Sequence, residues 1–182
     1  MKKILLLSDT HNFLDQKIKT YAGQADEIWH AGDIGEISLI DELESIKPVR
    51  AVYGNIDNHM IRQKIPEILN FNCEGVDVLM IHIAGNPGSY NLRAKQLIQK
   101  NQPKLFICGH SHNLKVMQDK KNHHLHMNPG AAGITGFHQI RTLLRFKLHD
   151  GKIILSAHTC NLPIPWLPKE MMKHNIIWPC SI

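Results

Sequence analysis

The chain lacks the features that mark several common protein classes. Its four cysteines, Cys73, Cys108, Cys160 and Cys180, stand apart without paired spacing. That excludes a disulfide framework or a thiolate zinc site and predicts reduced thiols in a cytoplasmic protein. No apolar run approaches the roughly 20 residues that span a bilayer, so no membrane partner is expected. The start, Met1-Lys2-Lys3-Ile4-Leu5-Leu6-Leu7, looks like a signal peptide only until Asp9 and His11 interrupt it, and no cleavage-site pattern follows. Internal repeats, low-complexity tracts and linkers are all missing. Acidic residues are outnumbered, 16 against 21 basic ones, for a net charge of +5. The basic residues are spread along the chain, apart from Lys120-Lys121, so a solvated surface is the simpler reading and a nucleic-acid partner is not expected.

What is present is a chain of 182 residues, 43% hydrophobic, with 13 histidines. Length and apolar content fit one domain with a substantial core. Apolar runs over 4–8, 27–31 and 49–53 read as buried strands, separated by helical spacing over 12–21 and 36–46, which implies parallel βαβ units. The pattern then changes. Residues 68–73 and 76–81 flank Glu74-Gly75 as a hairpin, 90–100 is helical, and 105–108 is another buried strand. Two further hairpins are predicted, 115–118 with 123–127 and 140–148 with 152–158, the latter turning at Asp150-Gly151. This α/β chain therefore predicts two sheets packed face to face with helices outside. We expect one domain over 1–160. Residues 161–182, with four of the nine prolines and two of the three tryptophans, form an extension packed on it or at an interface, so a homo-oligomer is a candidate state.

Short polar clusters sit at the ends of the apolar runs: Asp9-Thr10-His11, Gly32-Asp33, Gly54-Asn55, His82 and Gly109-His110-Ser111-His112. In α/β sheets ligands bind beyond the carboxyl ends of the strands, so these clusters converge on one edge. Together they offer two carboxylates, one amide and four imidazoles, a donor set for two adjacent metal ions. The oxygen/nitrogen mixture without thiolate suits Mn²⁺, Fe, Zn²⁺, Co²⁺ or Ni²⁺ rather than Ca²⁺. Glycines before Asp33, Asn55 and His110 let backbone approach the ions. Two divalent ions carry +4 against the −2 of Asp9 and Asp33, and a bridging hydroxide leaves about +1, which attracts a phosphate ester. Paired metals activate water at neutral pH and stabilise both oxygens of an in-line displacement. Arg93 and Asn128 are candidate substrate-binding residues. His30 reads as a packing or supporting residue, and structural roles are favoured for His123, His124 and His126.

Asp9-x-His11, Gly32-Asp33, Gly54-Asn55-x-Asp57, His82 and Gly109-His110-x-His112, in that order, resemble the calcineurin-like metallophosphoesterase superfamily. The short length and the Asn128-Pro129-Gly130 turn resemble its small single-domain phosphodiesterase branch. The resemblance spans roughly 2–158 and implies a four-layer αββα sandwich. By position, Asp9, His11 and His112 would hold one metal, Asn55, His82 and His110 the other, and Asp33 would bridge them, with Mn²⁺ favoured. Asp33, Asn55 and His110 are the residues expected to carry catalysis. One departure is Ile56, where many members place a histidine against the phosphate. The expected function is phosphodiester hydrolysis of a small phosphate ester. The alternatives are a non-catalytic scaffold of the same fold, or a nuclease.

Overall fold

The computed structural model describes residues 1–159 and 162–163, with side chains through residue 155. The first sheet contains β1 (Lys2–Leu7), β2 (Glu27–His30) and β3 (Val49–Ala51) in parallel, with β10 (Leu144–His149) and β11 (Lys152–Thr159) added antiparallel on the far side of β1. The second sheet has β4 (Ile68–Cys73), β5 (Val76–Ile81), β6 (Leu105–Ile107), β8 (His124–Pro129) and β7 (Leu114–Asp119), in that spatial order. Its central strands β5, β6 and β8 are parallel, and β4 and β7 close it antiparallel. A short pair joins β9 (Ile140–Arg141) to β12 (Leu162–Pro163). Four helices complete the fold: α1 (Gln16–Gly23), α2 (Ile37–Glu44), α3 (His59–Lys64) and α4 (Leu92–Asn101).

Each central strand is buried on both faces, and the two-residue period sorts its side chains into different layers. Ile4 and Leu6 of β1 meet Val78 and Met80 of β5 in the core between the sheets, while Leu5 and Leu7 face Ile18, Leu39 and Leu43 of the helices. Phe106 of β6 packs outward with Ala94 and Ile98 of α4, while Leu105 and Ile107 point inward. Each such aliphatic side chain, fully buried, contributes about 1.5–3 kcal/mol. The layers run helix, sheet, sheet, helix, as expected from the sequence.

The differences lie at element ends. The helix expected from residue 12 begins at Gln16, because Asp15 caps it by accepting from the Ile18 amide, and residues 9–12 form a site loop instead. The strand expected over 140–148 is split into β9 and β10. The six-residue α3 was not foreseen: it is too short for a helical period to show, although Asn58 caps it, accepting from the Ile61 amide. The expected extension 161–182 lies outside the described residues, apart from β12. Among the described residues, no helix is long and apolar enough to cross a membrane.

Two buried histidines are held neutral. Burial drives His30 down to about 3. Burial, and then neighbouring His124, drive His126 down to about 4. Both groups regain a proton near pH 6.5 when the chain unfolds. The stability they preserve is therefore complete above pH 6.5 and is lost progressively as the pH falls toward their folded values. We expect unfolding in urea at pH 5 to require less denaturant than at pH 7, by about 2 kcal/mol for each histidine. An unchanged midpoint would contradict this assignment.

Candidate metal centre

The parallel strands of both sheets end at one edge, and there the loops meet. Asp9 donates its amide to the Gly32 carbonyl (2.9 Å), His11 to the Asp33 carbonyl (3.1 Å), and Gly109 to the His82 carbonyl (3.0 Å). The His110 amide points at both carboxylate oxygens of Asp9 (3.2 and 3.1 Å), tying the two sheets together. The local backbone is unusual. Asp9, His11, Asp33, His110 and His112 all have positive φ, from 45° to 68°. For non-glycine residues that conformation is costly and clusters at functional sites, where surrounding contacts hold it.

Two triads of donor atoms result, Asp9/His11/His112 and Asp33/His82/His110, each with its atoms within 4.8 Å of one another. The triads adjoin. His82 Nε2 lies 3.2 Å from Asp33 Oδ1 and 4.0 Å from Asp9 Oδ1, and His11 Nε2 lies 3.9 Å from Asp33 Oδ2. Asn55 Oδ1 is 3.2 Å from His82 Nε2. Asp9, Asp33 and His82 are buried, while His110 faces solvent. All seven sequence-predicted ligands are thus brought to one place, and their chemistry fits two divalent ions.

Supporting contacts set the tautomers. His82 Nδ1 donates to the Ala31 carbonyl (2.7 Å), which aims Nε2 at Asp33 and Asn55. Burial works against charge on His82, but Asp33 and Asp9 outweigh it and raise its pKa. Burial likewise opposes ionisation of Asp33, yet His82 and the Ile56 amide hold its carboxyl below the usual range. His112 Nδ1 contacts His138 Nδ1 (3.2 Å), and His138 Nε2 donates to the Gly133 carbonyl (3.0 Å). That chain leaves His112 Nε2 unprotonated and free to ligate. His30 Nδ1 accepts from the Gly32 amide and its Nε2 donates to Thr10, so it braces two site loops.

Two of these supports, His138 and Arg62, escaped the sequence reading, whereas Asp57 stood in the Gly54-Asn55-x-Asp57 motif as a brace for its loop. His138 had no motif around it, because its contact comes from a loop 26 residues away from His112. Asp57 is buried, with Oδ1 accepting from the amides of Ile34 (2.8 Å) and Gly35 (2.9 Å) and Oδ2 from Gly54 (2.7 Å). It locks the Asp33 loop to the Asn55 loop. Arg62 of α3 donates to the carbonyls of Asp57 (2.7 Å), Asn55 (3.0 Å) and Gly54 (3.4 Å) and stacks on Tyr53. We expect Arg62→Ala to weaken metal binding by roughly 10–100-fold, the usual scale for a residue that orients a ligand, with little loss of fold. Unchanged metal affinity in that variant would contradict the clamp.

Two of the glycines are also required by the packing of the site. A Cβ on Gly54 would lie 2.1 Å from Asp33 Oδ1, and one on Gly32, at φ +98°, would lie 2.5 Å from His82 Nδ1. Their bareness makes room for the side chains of Asp33 and His82 and for the Asp33 backbone. Asn128 is also not where a substrate contact belongs. It is buried, its Nδ2 donates to the Gly109 carbonyl (2.8 Å) and to Ser111 Oγ (3.1 Å), and its Oδ1 accepts from Gly130, so it props the His110 loop from below. Arg93 is exposed and paired with Glu67 (2.8 Å). His124 and His126 sit under α4, hydrogen-bonded to Tyr90, away from the donor triads.

The sequence profile of the calcineurin-like phosphoesterase superfamily domain matches residues 1–151. The chain belongs to that superfamily. A probable metallophosphoesterase of Methanothermobacter thermautotrophicus is 26% identical over 136 residues, covering 71% of this chain and 76% of the relative. A solved structure described as a novel archaeal phosphodiesterase superposes with a TM-score of 0.68 at 20% identity, covering 83% of this chain and 96% of that one. The zinc complex of Vps29 from Entamoeba histolytica superposes with a TM-score of 0.67 at 16% identity, covering 83% and 88%. At these identities the two structures establish a common fold. The family match places this chain among the metallophosphoesterases, whose members bind divalent metals.

Proposed function

We propose that this protein is a dinuclear-metal-dependent phosphodiesterase acting on a small phosphate ester. The observation that carries the reading is the pair of adjoining donor triads, with Asn55 beside the second, at the common edge of both sheets. Asp9, His11 and His112 would hold one ion and Asn55, His82 and His110 the other, with Asp33 between them; Mn²⁺ suits this oxygen/nitrogen set. When bound, adjacent divalent ions supply a hydroxide nucleophile at neutral pH and stabilise charge on the attacking and leaving oxygens. Asp9 and Asp33 supply the buried negative charge that balances the ions. His110, exposed above them, is placed to contact the phosphoryl oxygens. Ile56 occupies the position beside Asn55 and offers no proton, so activated esters with good leaving groups should react best. The metallophosphoesterase relative favours phosphoester chemistry, and the archaeal phosphodiesterase favours a diester. All seven ligand types are retained, which weighs against the scaffold alternative. The spread of basic residues weighs against a nuclease.

The apo site makes a specific prediction. His82 donates from Nδ1 to Ala31, its Nε2 faces Asp33 at 3.2 Å, and Asp33 and Asp9 raise its pKa. A metal at Nε2 competes with a proton there, so affinity falls as the pH drops. Calorimetric Mn²⁺ titration should show two ions bound, with affinity lower at pH 6 than at pH 8. A single ion bound would overturn the dinuclear assignment.

A further inference from the structure

An open cleft of about 340 Å³ adjoins the donor site, and Asn55 and His82 form part of its wall. Its size falls within the roughly 300–1,000 Å³ of small-molecule sites. The aliphatic part of the lining is Ile68, Ile81 and Ile83. Ile83 is 43% exposed, a high value for an isoleucine beside a polar centre. It is also held in place: Asn91 caps α4 by accepting from the Ala94 amide and donates its Nδ2 to the Ile83 carbonyl (3.0 Å). The apolar wall is therefore preformed.

Arg62 gives Nε and Nη2 to three loop carbonyls and lies over the Tyr53 ring, 4.9 Å from its centroid, so its guanidinium plane is fixed. Arg93 pairs with Glu67 at the exposed rim. A ring on the substrate would gain the isoleucine wall and the Tyr53–Arg62 stack.

We propose that this cleft is the subsite for the organic arm of the phosphodiester, a ring-bearing ester group carried past Asn55 and His82. The proposal rests on the phosphoesterase reading and deepens it. It assigns the preference for a diester over a monoester to an arm-binding surface, and it makes Ile83 a specificity-determining residue.

The test uses the full-length, Mn²⁺-loaded protein and two non-hydrolysable anions with the same head group, diphenylphosphinate and dimethylphosphinate. By calorimetry, diphenylphosphinate should bind at least about tenfold more tightly. Ile83→Ala should erase most of that advantage while leaving dimethylphosphinate affinity and metal stoichiometry unchanged. Equal affinity of the two anions, or an advantage that survives Ile83→Ala in full, would overturn the subsite. The underlying reading fails differently: if neither anion binds in a metal-dependent way and activated esters are not hydrolysed, the phosphoesterase assignment falls and the subsite with it. Hydrolysis that is indifferent to the arm would remove the subsite alone.

Discussion

Asp33→Asn is expected to lower metal-dependent turnover by about 10³-fold or more, which corresponds to roughly 4 kcal/mol of transition-state stabilisation. The asparagine side chain has the same shape but no charge. It removes half of the buried negative charge facing the ions, from the one carboxylate that lies 3.2 Å from His82 in one triad and 3.9 Å from His11 in the other. Both metal positions should therefore weaken together. Because the backbone contacts of residue 33 persist, the fold should survive, with thermal unfolding close to that of the parent. The same variant should lower the pKa of His82 in the metal-free protein, since Asp33 is a main source of its upward shift. Histidine NMR titration reads that directly. Full metal-dependent activity in Asp33→Asn would sink the bridging role, and an unmoved His82 titration would sink the electrostatic account. His123→Ala serves as the control, because His123 lies in the β7–β8 turn and should be silent.

The second large effect is expected at a residue outside the donor set. Asp57→Ala strips three backbone amides, those of Ile34, Gly35 and Gly54, of their acceptor at once. A buried donor left without a partner costs about 1–3 kcal/mol. Water entering the vacated space offsets part of that sum, so we expect a loss of about 3–5 kcal/mol in unfolding free energy. The loops bearing Asp33 and Asn55 lose their common anchor, and turnover should fall about 100-fold in the protein that remains folded. Asp57→Asn keeps acceptor capacity on one oxygen and should recover part of both losses. If Asp57→Ala keeps full stability but loses activity, the residue acts on the reaction directly and the bracing role is wrong.

These two residues show what could be read from the chain alone. Asp33 was legible because, although a glycine-aspartate turn is ordinary by itself, four comparable clusters fall at strand ends in the same chain. The layers were legible for a similar reason. Runs such as 4–7 and 105–107 are apolar without alternation, so they must be covered on both faces. Asp57 was legible in the Gly54-Asn55-x-Asp57 motif as a brace for its loop, though its three amide partners were not. Arg62 and His138 are different. Each works through hydrogen bonds to backbone or ring nitrogens on another loop, and hydrophobic periodicity carries no information about such partners. Helix α3 was missed because two turns are too few to show a period. Asn128 was placed at the site by its motif, and only the packing shows that its amide is spent on Gly109, Ser111 and Gly130. Residues that supply donors are visible as types at spacings, whereas residues that aim those donors become visible only in three dimensions.

The most direct test of the central claim is hydrolysis of bis-p-nitrophenyl phosphate and p-nitrophenyl phosphate by metal-stripped protein, before and after Mn²⁺ is restored. The predicted result is no turnover without metal, recovery with Mn²⁺, and a faster rate on the diester than on the monoester. Tight binding of two ions without turnover of either ester would contradict the claim and leave a metal-binding scaffold in its place.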